Sequence, residues 1–272
     1  MQTPLLLGGG DLASGVAYRL YKARLPFLIV ELPMPTMVRR LVSFAEAVYT
    51  GAHTVEGITA RRVEEPSQVD ETLRRGEIPV LVDPALERLR AWGWVGARPI
   101  PLLIDARIAK RPPEYPLSIA DLVIGLGPGF TAGENCHAAI ETNRGHFLGR
   151  VYWEGSAEAD TGLPEAVLNH QADRVLRAPA DGSLTQRVPL GARVSAGQVL
   201  AEVDGHPVRA PFDGVLRGMM HSGLRVTRGL KIGDVDPRND PRYARAISEK
   251  ALAIGGGVLE AILTTFPPAW TI

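Results

Sequence analysis

The chain has almost no cysteine: Cys136 is the only one in 272 residues. That excludes an internal disulfide and makes a reducing cytoplasm the expected compartment. It has no excess of either charge, because thirty Lys and Arg cancel thirty Asp and Glu at neutral pH. Nucleic-acid binding draws on a net positive footprint that neutralises phosphates, so DNA and RNA are excluded as partners. No apolar run approaches the roughly 20 residues that cross a bilayer. The N-terminus has no basic segment ahead of a cleavable apolar core. No membrane partner is therefore expected. The histidines, His53, His137, His146, His170, His206 and His221, show no zinc-type spacing, so no metal site is predicted. What remains is length enough for one large domain or two modest ones with ample core.

The first informative stretch runs from Thr3 to Leu20. An apolar run, Leu5 to Leu7, breaks into three glycines and then into a helical pattern starting at Val16, Ala17 and Leu20. This is the order of a β-turn-α unit whose helix N-terminus presents free N–H groups to an anion. Gly8, Gly10 and Ala13 fit a G-x-G-x-x-A spacing. The loop and first turn, Gly8, Gly9, Gly10, Asp11, Leu12 and Ala13, are thus candidate cofactor contacts. A second apolar run, Phe27 to Val30, ends in Glu31 about twenty residues on, where a carboxylate accepts from a ribose hydroxyl in dinucleotide-binding folds. A plain tight turn with Glu31 as a solvated strand end is the alternative.

After a Pro-rich loop, residues to about Phe44 are expected to be mostly helical, with Arg24, Arg39 and Arg40 either meeting a phosphate or forming an exposed basic face. Pro66 starts a short helix, Ile78 to Val82 a strand ending at Asp83, and Pro101 onwards a strand ending near Asp105 and Arg107. Ligands gather outside the carboxyl ends of such strands. A second strand and glycine loop, Asp121 to Gly133, brings Gly127, Gly129 and Gly133, followed by Glu141, Thr142, Arg144 and His146 among further glycines. These groups either orient a ligand or cap loops. Cys136 and His137 are adjacent, so on a strand they point to opposite faces and do not form a nucleophile pair.

From about Asp173 an internal repeat appears. Arg177-Ala-Pro-Ala-Asp-Gly-Ser-Leu matches Arg209-Ala-Pro-Phe-Asp-Gly-Val-Leu at an offset of 32, with 12 of 28 positions identical over residues 177–204. Each copy has turn phrases flanking short strands, and two copies bury their apolar faces together. The phrases resemble the biotinyl and lipoyl domain family, whose carrier lysine sits on the hairpin joining the halves. Here that hairpin is Glu202-Val-Asp-Gly-His-Pro-Val, with no lysine, so no biotin or lipoate attachment is expected. Asp240-Pro241 then opens a C-terminal helix carrying Tyr243, Ile247, Ala251, Ile254, Val258 and Ile262 on one face, with Gly255 to Gly257 in its middle.

Together the phrases at Gly8–Ala17, Leu122–Gly133 and Ile140–Val151, followed by the lysine-less repeat, resemble the selenium-dependent molybdenum hydroxylase system protein family (the YqeB-like group). The N-terminal half is more distantly similar to the Rossmann part of XdhC-type xanthine dehydrogenase accessory proteins. The resemblance implies an α/β fold. Its Rossmann-like parallel-sheet domain spans residues 1–172, its lysine-less biotinyl/lipoyl-like barrel-sandwich module 173–238, and its C-terminal helix 239–272, packing back on the first domain. It implies an accessory protein that matures a molybdenum hydroxylase and binds a molybdopterin-type or nucleotide cofactor at the Gly-rich loop. The phosphate would lie at the first loop, Glu31 would take a ribose or pterin donor, and the second loop around Gly127 to Gly133, with Glu141, Thr142 and Arg144, would face the metal-bearing end. The client hydroxylase is the implied partner, and a homo-oligomer is possible. Two alternatives stand beside it: an NAD(P)-dependent oxidoreductase drawing a proton donor from His137 or His146, and a non-catalytic interaction module.

Overall fold

The computed structural model describes residues 3–159 and 173–267. Its N-terminal part contains β1 (Leu5–Leu7), α1 (Asp11–Lys22), β2 (Leu28–Glu31), α2 (Ala47–Thr50), β3 (Ala52–Val55), β4 (Ile58–Val63), α3 (Pro66–Arg74), β5 (Ile78–Val82), α4 (Glu87–Ala91), β6 (Ile100–Asp105), β7 (Ala120–Leu126), β8 (Thr131–Ala132), β9 (Ala138–Ile140), β10 (Val151–Tyr152) and β11 (Gly155–Ser156). Nine of these strands form one sheet in the order β10-β9-β7-β6-β1-β2-β5-β4-β3, while β8 pairs with β11. The seven central strands are parallel and both edges antiparallel. Central strands such as Leu5–Leu7 are uninterrupted apolar runs, as a sheet covered on both faces demands.

One face packs on α1 and the C-terminal helix α5 (Glu249–Thr265), through Val16, Leu20, Ile254 and Val258. The other is covered by Val69 of α3, Leu89 of α4 and loop residues such as Phe130 and Cys136. At the crossing of α1 and α5 the helices almost touch: a Cβ on Gly15 would lie 2.3 Å from the Ala251 carbonyl oxygen, and one on Gly255 would lie 2.6 Å from the Gly15 oxygen.

The repeat folds as eight short strands: β12 (Val175–Arg177), β13 (Gly182–Gln186), β14 (Arg193–Val194), β15 (Val199–Val203), β16 (His206–Arg209), β17 (Gly214–Met219), β18 (Arg225–Val226) and β19 (Lys231–Asp236). They form two antiparallel four-stranded sheets, β12-β19-β17-β14 and β16-β15-β13-β18, around a core that includes Leu184, Leu200, Leu216 and Ile232.

The expected Rossmann-like domain with a barrel-sandwich module is corrected to a large, mostly parallel mixed sheet joined to antiparallel sheets. A doubly wound Rossmann domain carries helices in its crossovers on both faces. Here the β6–β7 crossover is a loop with a single 3₁₀ turn and β7–β9 has no helix, so the half beyond β6 is not a second βαβ unit. Nor are the antiparallel sheets an independent carrier module. The Met219 N–H donates to the Val38 carbonyl at 2.9 Å, and a Cβ on Gly218 would lie 2.6 Å from Val38 Cγ1.

Two local expectations also change. After the Pro-rich loop, residues up to Phe44 form no α-helix, and the segment holds only 3₁₀ turns at Arg40–Val42 and Phe44–Glu46. Ser14 Oγ accepts the Phe44 N–H at 2.9 Å and the Gly9 carbonyl accepts the Ala45 N–H at 2.8 Å, which holds this segment flat against the glycine loop. Asp240-Pro241 starts one 3₁₀ turn, Pro241–Ala244, rather than the long helix. That helix begins at Glu249 under a Ser248 cap, and in the break Arg39 takes the carbonyls of Tyr243 and Ala246, each at 2.9 Å.

Candidate functional site

In an open parallel sheet the chain leaves β1 to one side and returns on the other, which opens a crevice at the carboxyl ends of the strands. Here β1 lies between β2 and β6, and a cleft of 990 Å³ sits over that point. Its floor is made by Gly8 and Gly10 after β1, Leu32 after β2, Pro84 after β5 and Ala106–Ile108 after β6. The loop is held rigid by its own hydrogen bonds. Gly8, at φ +90°, donates to the Val30 carbonyl at 2.8 Å, and Gly9 donates to Glu31 Oε2 at 2.7 Å. The other Glu31 oxygen accepts the Leu32 N–H at 2.7 Å. Burial raises the Glu31 pKa, and these two N–H groups and Arg107 offset only part of that. Gly10 caps α1 without a side-chain hydrogen bond, so the first-turn amides remain available at a positive helix end.

The roof comes from the repeat. Arg174 precedes β12, Arg217 is on β17, Lys231 and Asp234 on β19, and Arg238 follows it; all five line the cleft. They form a charge ladder. Asp234 pairs with Arg174 at 2.9 Å and with Arg217, and Asp236 pairs with Arg217 at 3.2 Å and with Arg238 at 2.6 Å. Burial would raise the Asp236 pKa, but the Arg238 guanidinium and N–H, helped by Arg217, hold it below the usual carboxylate value. Arg238 also lies 3.9 Å over the Tyr243 ring. Three guanidiniums thus share two carboxylates.

The Lys231 side chain makes no ion pair or hydrogen bond among the described residues. Its side chain is solvent-accessible yet deep among protein atoms, as the wall of an open cleft requires. That depth lowers its ammonium pKa; Asp234 opposes the shift, while Arg174 and Arg217 reinforce it.

Between floor and roof stands Arg39, which is 8% exposed. It grips Asp11 through both carboxylate oxygens at 2.9 and 3.0 Å, and its Nε is a buried donor with no partner among the described residues. In all, eight cationic and four carboxylate side chains line the cleft of a chain with zero net charge.

The candidates named from sequence divide in two. Gly8, Gly10, Asp11, Leu12, Ala13, Glu31 and Arg144 line the cleft, whereas Gly9, Asp105, Gly127, Gly129, Gly133, Glu141 and Thr142 do not. Gly9 lies under the loop, where a Cβ would be 2.9 Å from the Ala45 nitrogen. Asp105 is fully buried and holds Arg107, which faces the cleft, and the Tyr115 hydroxyl at 2.9 Å. Glu141 accepts the N–H groups of Asn143 at 2.6 Å and Glu158 at 2.7 Å, tying two loops together. Gly127 packs beside Thr142 Oγ1, Gly129 would clash with the Ala109 carbonyl if it carried a Cβ, and the Gly133 N–H goes to the Cys136 carbonyl.

The roof cations Arg174, Arg217, Lys231 and Arg238 escape motif reasoning, but the repeat held a signal. At the offset of 32, Arg217, Lys231 and Arg238 stand against Thr185, Val199 and His206. Equivalent positions gain positive charge only in the copy that faces the first sheet.

Family models give no match to this chain. It is 45% identical over 262 residues to a protein of Escherichia coli K12 named "Uncharacterized protein YqeB", covering 96% of this chain and 47% of that one. The chain therefore spans about half the length of the curated relative it matches. Solved structures found include an aspartoacylase family protein from Mesorhizobium loti, at 12% identity over 86% of this chain and 85% of that one with a TM-score of 0.26. Another is a succinylglutamate desuccinylase/aspartoacylase from Rhodobacter sphaeroides, at 16% identity over 80% and 61% with a TM-score of 0.24. Product-bound ectoine utilization protein EutE (DoeB) from Ruegeria pomeroyi shares 24% identity over 30% and 27%, with a TM-score of 0.22. At such TM-scores these likenesses carry no argument about this chain.

The expected kinship is corrected accordingly. The matching relative has no function in its name, so the kinship with XdhC-type accessories and the selenium-dependent molybdenum hydroxylase system is not upheld. The maturation role and both alternatives are withdrawn with it. The site adds a physical reason. Glu31 spends both oxygens on the glycine loop and Leu32 instead of a ribose, and neither His137 nor His146 lines the cleft. His137 Nδ1 instead accepts the Val123 N–H at 2.9 Å.

Proposed function

We propose that this protein binds a small molecule carrying at least two anionic groups, phosphate or carboxylate, in the cleft between the parallel sheet and the repeat. The observation that carries the reading is the concentration of cations on one wall, the Arg174, Arg217 and Arg238 ladder with unpaired Lys231. The uncapped first turn of α1 and the buried Arg39 face it from the other. One anionic group meets the helix end, where dipole and amides favour negative charge. The other meets the guanidinium ladder, whose fixed forks suit planar or tetrahedral oxyanions. The chain as a whole has zero net charge while cations outnumber carboxylates in the cleft, so the cleft focuses the field on a ligand of this kind.

Calorimetric titration with pyrophosphate, inorganic phosphate and citrate tests the reading. Pyrophosphate is expected to bind more tightly than phosphate, and Lys231→Gln, which breaks no ion pair, to weaken it about tenfold, the loss of one charge-assisted contact. Affinity also falls as salt rises. No heat with any of the three at millimolar concentration, or binding indifferent to Lys231→Gln, would overturn it.

A further inference from the structure

The proposal above uses Lys231 only as a charge, yet its surroundings set it apart from the other lysines. The chain has four, at positions 22, 110, 231 and 250. Lys22 and Lys110 lie outside the cleft, with Lys22 over the Tyr18 ring at 5.4 Å, whereas half-buried Lys250 lines the cleft together with Lys231. Lys231 lies in the 990 Å³ cleft, accessible to a ligand but bound to no carboxylate. Asp234, the acid nearest it in sequence on β19, is fully engaged by Arg174 and Arg217. Desolvation among the cleft walls favours the neutral amine; Asp234 opposes it, and Arg174 and Arg217, which that carboxylate holds, reinforce it. The charged groups acting on Lys231 are Asp234, Arg174 and Arg217 from the roof and Asp11 from the first turn of α1 across the cleft. A free amine next to fixed anion-binding groups is the equipment for capturing a carbonyl compound that carries a negative charge.

We propose that Lys231 forms a covalent imine with the carbonyl carbon of an anionic aldehyde or oxo acid held in this cleft, a step that rests on the anion-binding reading. The neutral Nζ adds to the carbonyl carbon, forming the C–N bond while the carbonyl π electrons move to oxygen, which takes a proton. That proton comes from the nitrogen, giving the neutral carbinolamine; a second proton from solvent in the open cleft lets the oxygen leave as water while the nitrogen lone pair closes the C=N bond, leaving a protonated imine. Arg174 and Arg217 hold the ligand's anionic group beside the reacting carbon. The cationic imine that results sits near Asp234 and Asp11.

The probe is pyridoxal 5′-phosphate, a phosphate-bearing aldehyde, incubated with the full chain and reduced with borohydride, which adds hydride to the imine carbon. Peptide mapping by mass spectrometry then assigns the adduct among four lysines. Expected is an adduct at Lys231 at least tenfold above Lys22, Lys110 and Lys250, slowed at least fivefold by pyrophosphate and absent in Lys231→Arg. Pyridoxal, which lacks the phosphate, should label Lys231 at least fivefold more slowly. Pyrophosphate calorimetry on the same wild-type preparation separates the two claims. Binding of pyrophosphate with label spread according to exposure, or concentrated on Lys250, would sink the imine and leave anion binding standing. No pyrophosphate binding together with no preference for Lys231 would sink both.

Discussion

The crossing of α1 and α5 allows the same chemical change to be made at three glycines with opposite expected signs. Replacing a glycine by alanine inside a helix gains about 1 kcal/mol of helix propensity and unfolded-state entropy. At Gly256 a new Cβ meets nothing within 4 Å, so Gly256→Ala is expected to stabilise by about that amount. At Gly15 the Cβ would lie 2.3 Å from the Ala251 oxygen and 2.4 Å from its carbonyl carbon, and at Gly255 it would lie 2.6 Å from the Gly15 oxygen. These neighbours are backbone and cannot rotate away. Ordinary contact requires α5 to retreat by ~1 Å, a gap that forfeits a quarter to a half of each dispersion contact along the crossing. Overpacking of this kind costs about 1–3 kcal/mol and more where backbone must move. Gly15→Ala and Gly255→Ala are therefore expected to destabilise by about 1–2 kcal/mol after the propensity gain. In urea, with a slope of about 3 kcal/mol/M, the midpoint would fall by roughly 0.3–0.7 M, while Gly256→Ala would raise it by roughly 0.3 M. If Gly15→Ala raised the midpoint as Gly256→Ala does, the close crossing and the seating of α5 argued from it would be wrong.

Three further outcomes follow from the charge ladder and the buried thiol. Asp234→Asn leaves Arg174 and Arg217 facing each other without their shared carboxylate, and a loss of about 3–5 kcal/mol in chemical denaturation is expected, partly restored by pyrophosphate. Because the folded pKa of Asp236 is depressed, its ionised form stabilises the fold above the unfolded value near 3.8, and that contribution disappears as pH falls through the folded value. The stability gap between wild type and Asp236→Asn should therefore be constant from pH 5 to 7 and shrink as acid is added below about pH 4; a constant gap at every pH would refute the ladder's role. Burial pushes the Cys136 thiol up to about 12, so alkylation at pH 8 should be slow in the folded protein and become fast in urea. Rapid labelling without denaturant would contradict the packing of that face.

Much of the local structure was written in the chain. Leu5 to Leu7 is an apolar run ending in glycines, and it is β1 followed by a sharp turn into α1, because period and turn chemistry are local properties. The offset of 32 is the clearest case. It aligns Gly182 with Gly214 and Val199 with Lys231, the first residues of β13 and β17 and of β15 and β19. Helix starts were less legible. Asp240-Pro241 has the composition of a strong N-terminus, but Arg39, some two hundred positions away, takes the carbonyls that would have continued the turn.

The site shows most clearly where sequence stops. By itself the sequence determined the strands, the glycine loop, the doubled β unit and a neutral overall charge, all of which depend on neighbours in the chain. Only the tertiary structure decided that Glu31 serves the loop instead of a ligand, since that depends on which N–H groups fall within 2.7 Å of its oxygens. Tertiary structure also decided that Lys231 and Arg217 of the second copy, with Arg174 before the repeat and Arg238 after it, share a cleft with the first turn of α1. A charge has no direction in sequence. Which wall carries it follows from how two sheets dock, and docking here is set by long-range contacts such as Met219 to Val38 and Arg39 to Ala246.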